Sequence, residues 1–180
     1  MRITVFIATS LDGYISKPDG SIDWLMDKRY ELDGEDFGYS ELYNACDLLV
    51  MGRSSFEKVA SFEKWPYPDK RVIVLSRSLN ALSKQIDDVE LFSGSITDLV
   101  ATLTMQNCEH IYIDGGQVIQ SFLQEGLVTD MTITTIPILL GDGRRLFGEL
   151  SHEKHLKLLS AKGYENGFVQ CKYAVINETT

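Results

Sequence analysis

Residues 47–59, DLLVMGRSSFEKV, decide how the rest of the chain is read. Leu48 to Met51 form an uncharged apolar run between Asp47 and Gly52, as expected of a strand buried on both faces. Gly52, Arg53, Ser54 and Ser55 then fall together, and Phe56 and Val59 resume at helical spacing. The segment is therefore expected to be a buried strand turning sharply into a helix over about 54–60, the repeating unit of a parallel α/β sheet. Its turn has two readings. Ser54 and Glu57 match a capping box, which needs no ligand. Equally, glycine lets a backbone approach closely, serine adds donors, and arginine grips a phosphate at a helix start.

Two further strand ends carry the same chemistry. A run over 71–76 ends in Ser76-Arg77-Ser78, and the strand ending at Ile113 runs into Asp114-Gly115-Gly116-Gln117 before a helix that Gly126 stops. Three donor-rich turns at the carboxyl ends of successive strands point to a dinucleotide, since ligands of parallel sheets sit beyond those ends. None of them has the glycine spacing of a Rossmann fingerprint or a P-loop.

The remaining pattern completes the sheet. Residues 3–9 alternate as a first strand, and SLDGYISKPDGSIDW follows as a long, turn-rich loop. Short helices are expected over 36–46 and, capped by Ser95 or Thr97, from Ser95 to Met105. A short strand covers 89–92, and residues 128–140 alternate through Met131 and Ile133, with Pro137 marking an edge or bulge. Two late strands, 155–162 and 168–176, are joined at Glu165-Asn166-Gly167, and the last residues look frayed. Strands separated by helices early and strands alone late imply one α/β domain over 1–180, with a mostly parallel sheet finished by an antiparallel hairpin.

Bulk properties narrow the function. The chain has 180 residues and a net charge of −9, without a basic stripe, so a nucleic-acid partner is not expected. No apolar run is long enough to span a membrane, and the N-terminus alternates like a strand where a signal peptide would carry a continuous apolar core. Cys46, Cys108 and Cys171 are odd in number and widely spaced, the usage of reduced thiols in a cytoplasmic protein.

The motifs ATSLDGYI, DLLVMGRSSFE, RVIVLSR, IYIDGGQVIQSFL and IPILLGDGRRLF occur in the order, and at about the spacing, of the dihydrofolate-reductase-like superfamily. They most resemble its branch that includes the reductase domain of bacterial riboflavin biosynthesis, and within it the stand-alone bacterial proteins. The resemblance runs from about residue 2 to 175 and implies the three-layer fold of that superfamily. It also implies a reductase that takes NADPH and a small-molecule substrate of pteridine or pyrimidine type, and a homodimer paired through sheet edges or late strands.

Position by position, the resemblance places the cofactor diphosphate at Gly52, Arg53, Ser54 and Ser55, with Arg53 also close to the adenosine phosphate. Ser76 and Arg77 match the strand end that reads the adenosine 2′-phosphate. Gly115, Gly116, Gln117 and Val118 match the second helix start. Ala8 and Ile15 fall where the nicotinamide carboxamide is held, with 10–24 as a mobile flap. Asp36 falls where folate reductases keep a buried carboxylate that supports proton delivery; as a residue type before a helix it is equally an N-cap. Trp24 and Phe56 suit either the substrate wall or the core. His152 and His155 lie in a charged stretch with no third ligand, so no metal is expected. Asp12 is read as a turn residue, and LLGDGRRLFGE as a plain hairpin loop. Two alternatives stand beside the general reductase: the ribosylaminopyrimidine reductase step of riboflavin synthesis, and a non-catalytic nucleotide-binding module.

Overall fold

Central strands of a sheet covered on both sides must be apolar through their middle, and three strands here are buried there on both faces. They are β3 (Leu48–Gly52), β4 (Arg71–Leu75) and β6 (His110–Asp114). The computed structural model describes residues 1–78 and 81–176; the frayed end expected at 177–180 lies outside them. Around the three central strands stand β1 (Arg2–Ser10), β5 (Val89–Phe92), β7 (Asp130–Ile136), β9 (His155–Gly163) and β10 (Val169–Ile176). Together they form one eight-stranded sheet in the order β5-β4-β3-β6-β1-β7-β10-β9. All pairings from β5 to β7 are parallel, while β10 joins both β7 and β9 antiparallel. The expected late hairpin is there, turning at Gly167 with a φ of 86°.

Strand parity divides the core into two layers. Leu48, Val50, Ile73, Ile111 and Ile113 face one cluster, completed by α3 (Ile96–Met105) and α4 (Gly116–Gln124). Leu49, Met51, Val72, Val74 and Tyr112 face the other, where α1 (Tyr39–Ala45) and α2 (Arg53–Ala60) add Leu42 and Phe56. Helices on both faces of the sheet make three layers. A third, smaller cluster of Trp24, Ile136 and Phe168 sits under the loop after β1.

Two strands were not expected. The long loop after β1 contains β2 (Tyr14–Ser16), and the glycine-rich loop after β7 contains β8 (Arg144–Arg145); the two pair antiparallel as a separate ribbon. Asp12 anchors this ribbon. Its carboxylate accepts the Leu140 and Gly141 amides at 3.2 and 2.8 Å and the Ser10 hydroxyl at 2.6 Å, so it ties two distant loops together as well as shaping its own turn. Among the described residues, no helix is long and apolar enough to cross a membrane.

Candidate active site

Because β3, β4 and β6 run parallel, their carboxyl ends and the helix starts that follow share one edge of the sheet. A cavity of about 1430 Å³ opens along that edge, larger than the roughly 300–1,000 Å³ usual for one drug-sized ligand. Its walls carry Arg53, Lys58, Arg77, Arg144 and Arg145 against only Asp114 and Glu125. In a chain of net charge −9, this local excess of cations marks the cavity as a place for an anion.

The middle of the cavity is formed by two helix N-termini. α2 begins at Arg53, one residue earlier than expected, with Gly52 as its N-cap and no side-chain cap hydrogen bond. The capping box is therefore unused: Glu57 instead accepts from the Arg53 guanidinium at 2.7 Å. α4 starts the same way, with Gly115 as N-cap and no side-chain cap. α3 shows the contrast, since the Ser95 hydroxyl accepts the Asp98 amide at 3.1 Å. First-turn amides without intrahelical partners, at the positive end of a helix, are donors suited to an anion.

The two starts also approach each other closely. Gly115 has a φ of +91°, and a Cβ there would lie 2.5 Å from the Ser55 hydroxyl oxygen and 3.9 Å from the Gly52 amide nitrogen. A Cβ at Gly52 would meet Val118 at 3.3 Å, and one at Gly116 would meet Ile15 at 2.8 Å and the Arg145 carbonyl at 3.3 Å. At Gly115 a side chain would meet both the Ser55 hydroxyl and an unfavourable backbone conformation. The cradle fits a diphosphate in charge and in donor type.

All twelve residues matched to the cofactor line this one cavity. Gly52, Arg53, Ser54 and Ser55 stand opposite Gly115, Gly116, Gln117 and Val118, with Ser76 and Arg77 at the β4 end, Ala8 on β1, and Ile15 on β2 beside Gly116. Arg77 is exposed and projects from the strand end beyond Leu75.

The other matched residues lie elsewhere. Asp36 is exposed and absent from the cavity wall. Its carboxylate accepts the Gly38 and Ser40 amides, each at 2.9 Å, immediately before α1. The Ser40 side chain, then those amides, hold its pKa below the usual carboxylate value. Asp36 thus does the work of a helix cap. Trp24 and Phe56 do not line the cavity either. Phe56 points from α2 into the sheet, fully buried and edge-on to Trp65. Trp24 is buried against Ala8, Ile136 and Phe168, and its indole N–H finds no acceptor among the described residues.

Of the two carboxyl groups on the cavity wall, Glu125 is exposed and the more enclosed one is Asp114, which sequence reasoning treated only as part of a turn. On β6 it has the parity of Tyr112, so it points toward the α1 and α2 side, at the cavity floor. Burial pushes its pKa up to about 6, against a smaller opposing effect of the Gly115 amide. Burial, and after it the charge of Asp114, also keeps the Tyr67 and Tyr112 phenols protonated. The Tyr112 hydroxyl donates to the carbonyl of Phe6, another wall residue, at 3.1 Å. The signal was present in HIYID: alternation from Tyr112 places Asp114 on that face, and its position at the strand end places it beside any ligand. His152 and His155 bond only to near neighbours, and among the described residues no group of three or more His, Cys, Asp or Glu could hold a metal ion.

Comparison with known proteins agrees with this fold. Residues 1–170 match the family described as RibD C-terminal domain. The uncharacterized protein YwjB of Bacillus subtilis (strain 168) is 37% identical over 166 residues, covering 91% of this chain and 92% of that protein. A crystal structure of a candidate riboflavin biosynthesis protein from Shewanella sp. PV-4 is 39% identical with a TM-score of 0.92, covering 98% of this chain and 100% of that one. The diaminohydroxyphosphoribosylaminopyrimidine deaminase/5-amino-6-(5-phosphoribosylamino)uracil reductase of Thermotoga maritima shares the fold at 16% identity and a TM-score of 0.71, covering 97% of this chain and 56% of that one. With its mostly parallel sheet, its antiparallel finish and a match over nearly its whole length, the chain belongs to the RibD C-terminal domain family, on the dihydrofolate-reductase-like fold.

Proposed function

We propose that the protein is an NADPH-dependent reductase of a small heterocycle of pyrimidine or pteridine type. The observation that carries this reading is the pair of uncapped helix starts that meet at Gly115 and Ser55, so that their first-turn amides open on one cation-rich cavity. Gly52 to Ser55 and Gly115 to Val118 would hold the diphosphate, and Ala8 and Ile15 the nicotinamide end. When bound, NADPH would supply the hydride. Asp114 keeps its proton up to about pH 6, well above an ordinary carboxyl group, and lines the cavity wall, so it is assigned the role of acid. Phe6 and Val59 line that wall and help to exclude water.

The coenzyme preference rests on Arg77. A 2′-phosphate rewards a fixed guanidinium by about 1.5–3 kcal/mol, as charged hydrogen bonds do. Arg77→Ala should therefore raise the KM for NADPH roughly 10- to 100-fold and that for NADH less than threefold. Steady-state kinetics with both coenzymes checks this, and equal changes would defeat the assignment.

Within the substrate class, the aminouracil reduction in the name of the Thermotoga protein is the specific alternative. Lys58 on the cavity wall, with no ion pair among the described residues, offers a cation for a phosphorylated ribosyl group. Coenzyme oxidation with pterins, free pyrimidines and ribosylaminopyrimidines separates the readings. Tight coenzyme binding without turnover on any of them would favour a non-catalytic nucleotide-binding module. The free thiols Cys46, Cys108 and Cys171 suit a reducing, cytoplasmic setting.

The partner we propose is a second copy of the chain, seated on the outer strands. Register places Leu158 opposite Tyr173, Leu156 opposite Val175 and Ala161 opposite Cys171, so these side chains share one face of the sheet. Every residue of β9 is exposed, Leu156 by 40% and Leu158 by 55%, which leaves an apolar face no helix covers. Leu158→Glu should convert a dimer to a monomer in sedimentation equilibrium. A wild-type protein that is already monomeric at high micromolar concentration would remove the proposal.

A further inference from the structure

The five cations of the cavity wall are not equivalent. Arg53 is engaged by Glu57 at 2.7 Å. Arg145 donates to the Tyr14 hydroxyl at 3.1 Å and lies over the Tyr14 ring, 4.8 Å from its centroid. Arg144, its neighbour in sequence, has no side-chain hydrogen bond or ion pair among the described residues. Its guanidinium instead lies against Gly20 at the tip of the flap, where a Cβ would come within 3.3 Å of Nη2. An arginine is long and flexible, and an unpartnered one is ordinarily just solvated. This one is carried on a backbone held from four sides.

Arg144 pairs with Ser16 in the β2–β8 ribbon. The Leu146 amide donates to the Gly13 carbonyl at 3.1 Å, and the Gln120 side chain of α4 donates to the Arg145 and Leu146 carbonyls at 3.1 and 3.0 Å. Gly143 passes so close to the Ser16 carbonyl that a Cβ there would sit 2.2 Å from its oxygen. The Asp12 carboxylate holds the far end of the same loop through Leu140 and Gly141. The ribbon is thereby docked on the first half of α4, next to Gly116 and Ile15, and its outermost cation is held over the cavity.

We propose that Arg144 is a diphosphate ligand delivered by the flap ribbon, gripping from the outside the anion that the α2 and α4 starts hold from within. This rests on the proposed coenzyme site and deepens it: flap and coenzyme become one binding unit, with Gly20 leaving the guanidinium room to lie across the opening. A planar, always-charged group with several donors suits two neighbouring phosphates. The β4 end of the cavity, with Ser76 and Arg77, is a separate stretch of wall, so Arg144 bears on the diphosphate and not on the 2′-phosphate.

Isothermal titration of the full chain with NADPH, inorganic pyrophosphate and 2′,5′-ADP tests this without turnover. For Arg144→Ala, the Kd for NADPH and for pyrophosphate should rise 10- to 100-fold, that for 2′,5′-ADP should change less than threefold, and Arg144→Lys should recover part of the loss. An NADPH Kd within threefold of wild type, or equal weakening of all three ligands, overturns the role of Arg144 while leaving the coenzyme site standing. Wild-type protein that binds neither NADPH nor pyrophosphate instead removes the coenzyme site, and this role with it. Circular dichroism of both variants confirms that the exposed substitution leaves the fold intact.

Discussion

Asp114→Asn is expected to lower kcat by about 10²- to 10⁴-fold, the usual contribution of a positioned general acid, while coenzyme affinity changes little. The wild-type rate should fall as pH rises through about 6, where the buried carboxyl loses its proton, and the variant should lack that limb. Stability follows the same titration. A carboxyl whose pKa is raised on folding binds its proton more tightly in the native state, so its contribution is complete below the unfolded value near 4 and is lost as pH rises through about 6. At pH 8 the wild type therefore keeps an ionised group in an apolar setting, and the neutral amide should stabilise the fold by roughly 2–3 kcal/mol. A variant that is more stable at pH 8 and nearly inactive identifies the acid. Full activity in Asp114→Asn would end that assignment. Asp36→Ala is the informative control: with its carboxylate bonded to the Gly38 and Ser40 amides, it should lower the thermal midpoint and leave the pH–rate profile unchanged.

Gly115→Ala should weaken NADPH binding more than about 100-fold, since the added carbon both fills the cradle and displaces its donors. The methyl group would lie 2.5 Å from the Ser55 hydroxyl oxygen, and the residue's φ of +91° is one that side chains other than glycine rarely adopt. The backbone effect alone costs about 1–3 kcal/mol. Adding Ser55→Ala separates the two causes. It relieves the clash and restores part of the stability, but not the coenzyme affinity, because the Ser55 hydroxyl leaves the wall. Fluorescence titration of NADPH and thermal unfolding of both variants read this out. Affinity in Gly115→Ala within threefold of wild type would show that the coenzyme does not rest against these two helix starts.

Much of this was legible in the chain because burial on two faces leaves a strong signature. The apolar runs ending at Met51 and Leu75, and the alternation in HIYID, gave strand positions within a residue or two of β3, β4 and β6. The turns at their ends were recognisable by glycine and hydroxyl content. The start of α2 was not: Ser54 and Glu57 fit a capping box, but Gly52 enters the helix in an extended conformation and Glu57 prefers Arg53. That difference is what leaves the amides of the first turn available. The β2–β8 ribbon was invisible because strands of three and two residues carry no periodicity, and its pairing depends on loops about 128 residues apart. Asp36 followed from counting along the chain, whereas the useful carboxyl was set by which side of β6 a residue faces. Trp24 and Phe56 were open between wall and core, and large aromatic side chains bury where area can be gained.

The placement of β1 has a consequence for how the chain is made. Its two neighbours in the sheet are β6 and β7, with Thr4 beside Tyr112 on one side and Asp130 on the other. At about 5–20 residues per second, the ribosome needs roughly ten seconds after making β1 before both partners exist. During that interval an apolar segment waits without a sheet to join, which favours chaperone capture and late, cooperative closure of the sheet. The sheet edge that carries the cavity can close only once β6 has been made, long after β1 has left the peptidyl-transferase centre.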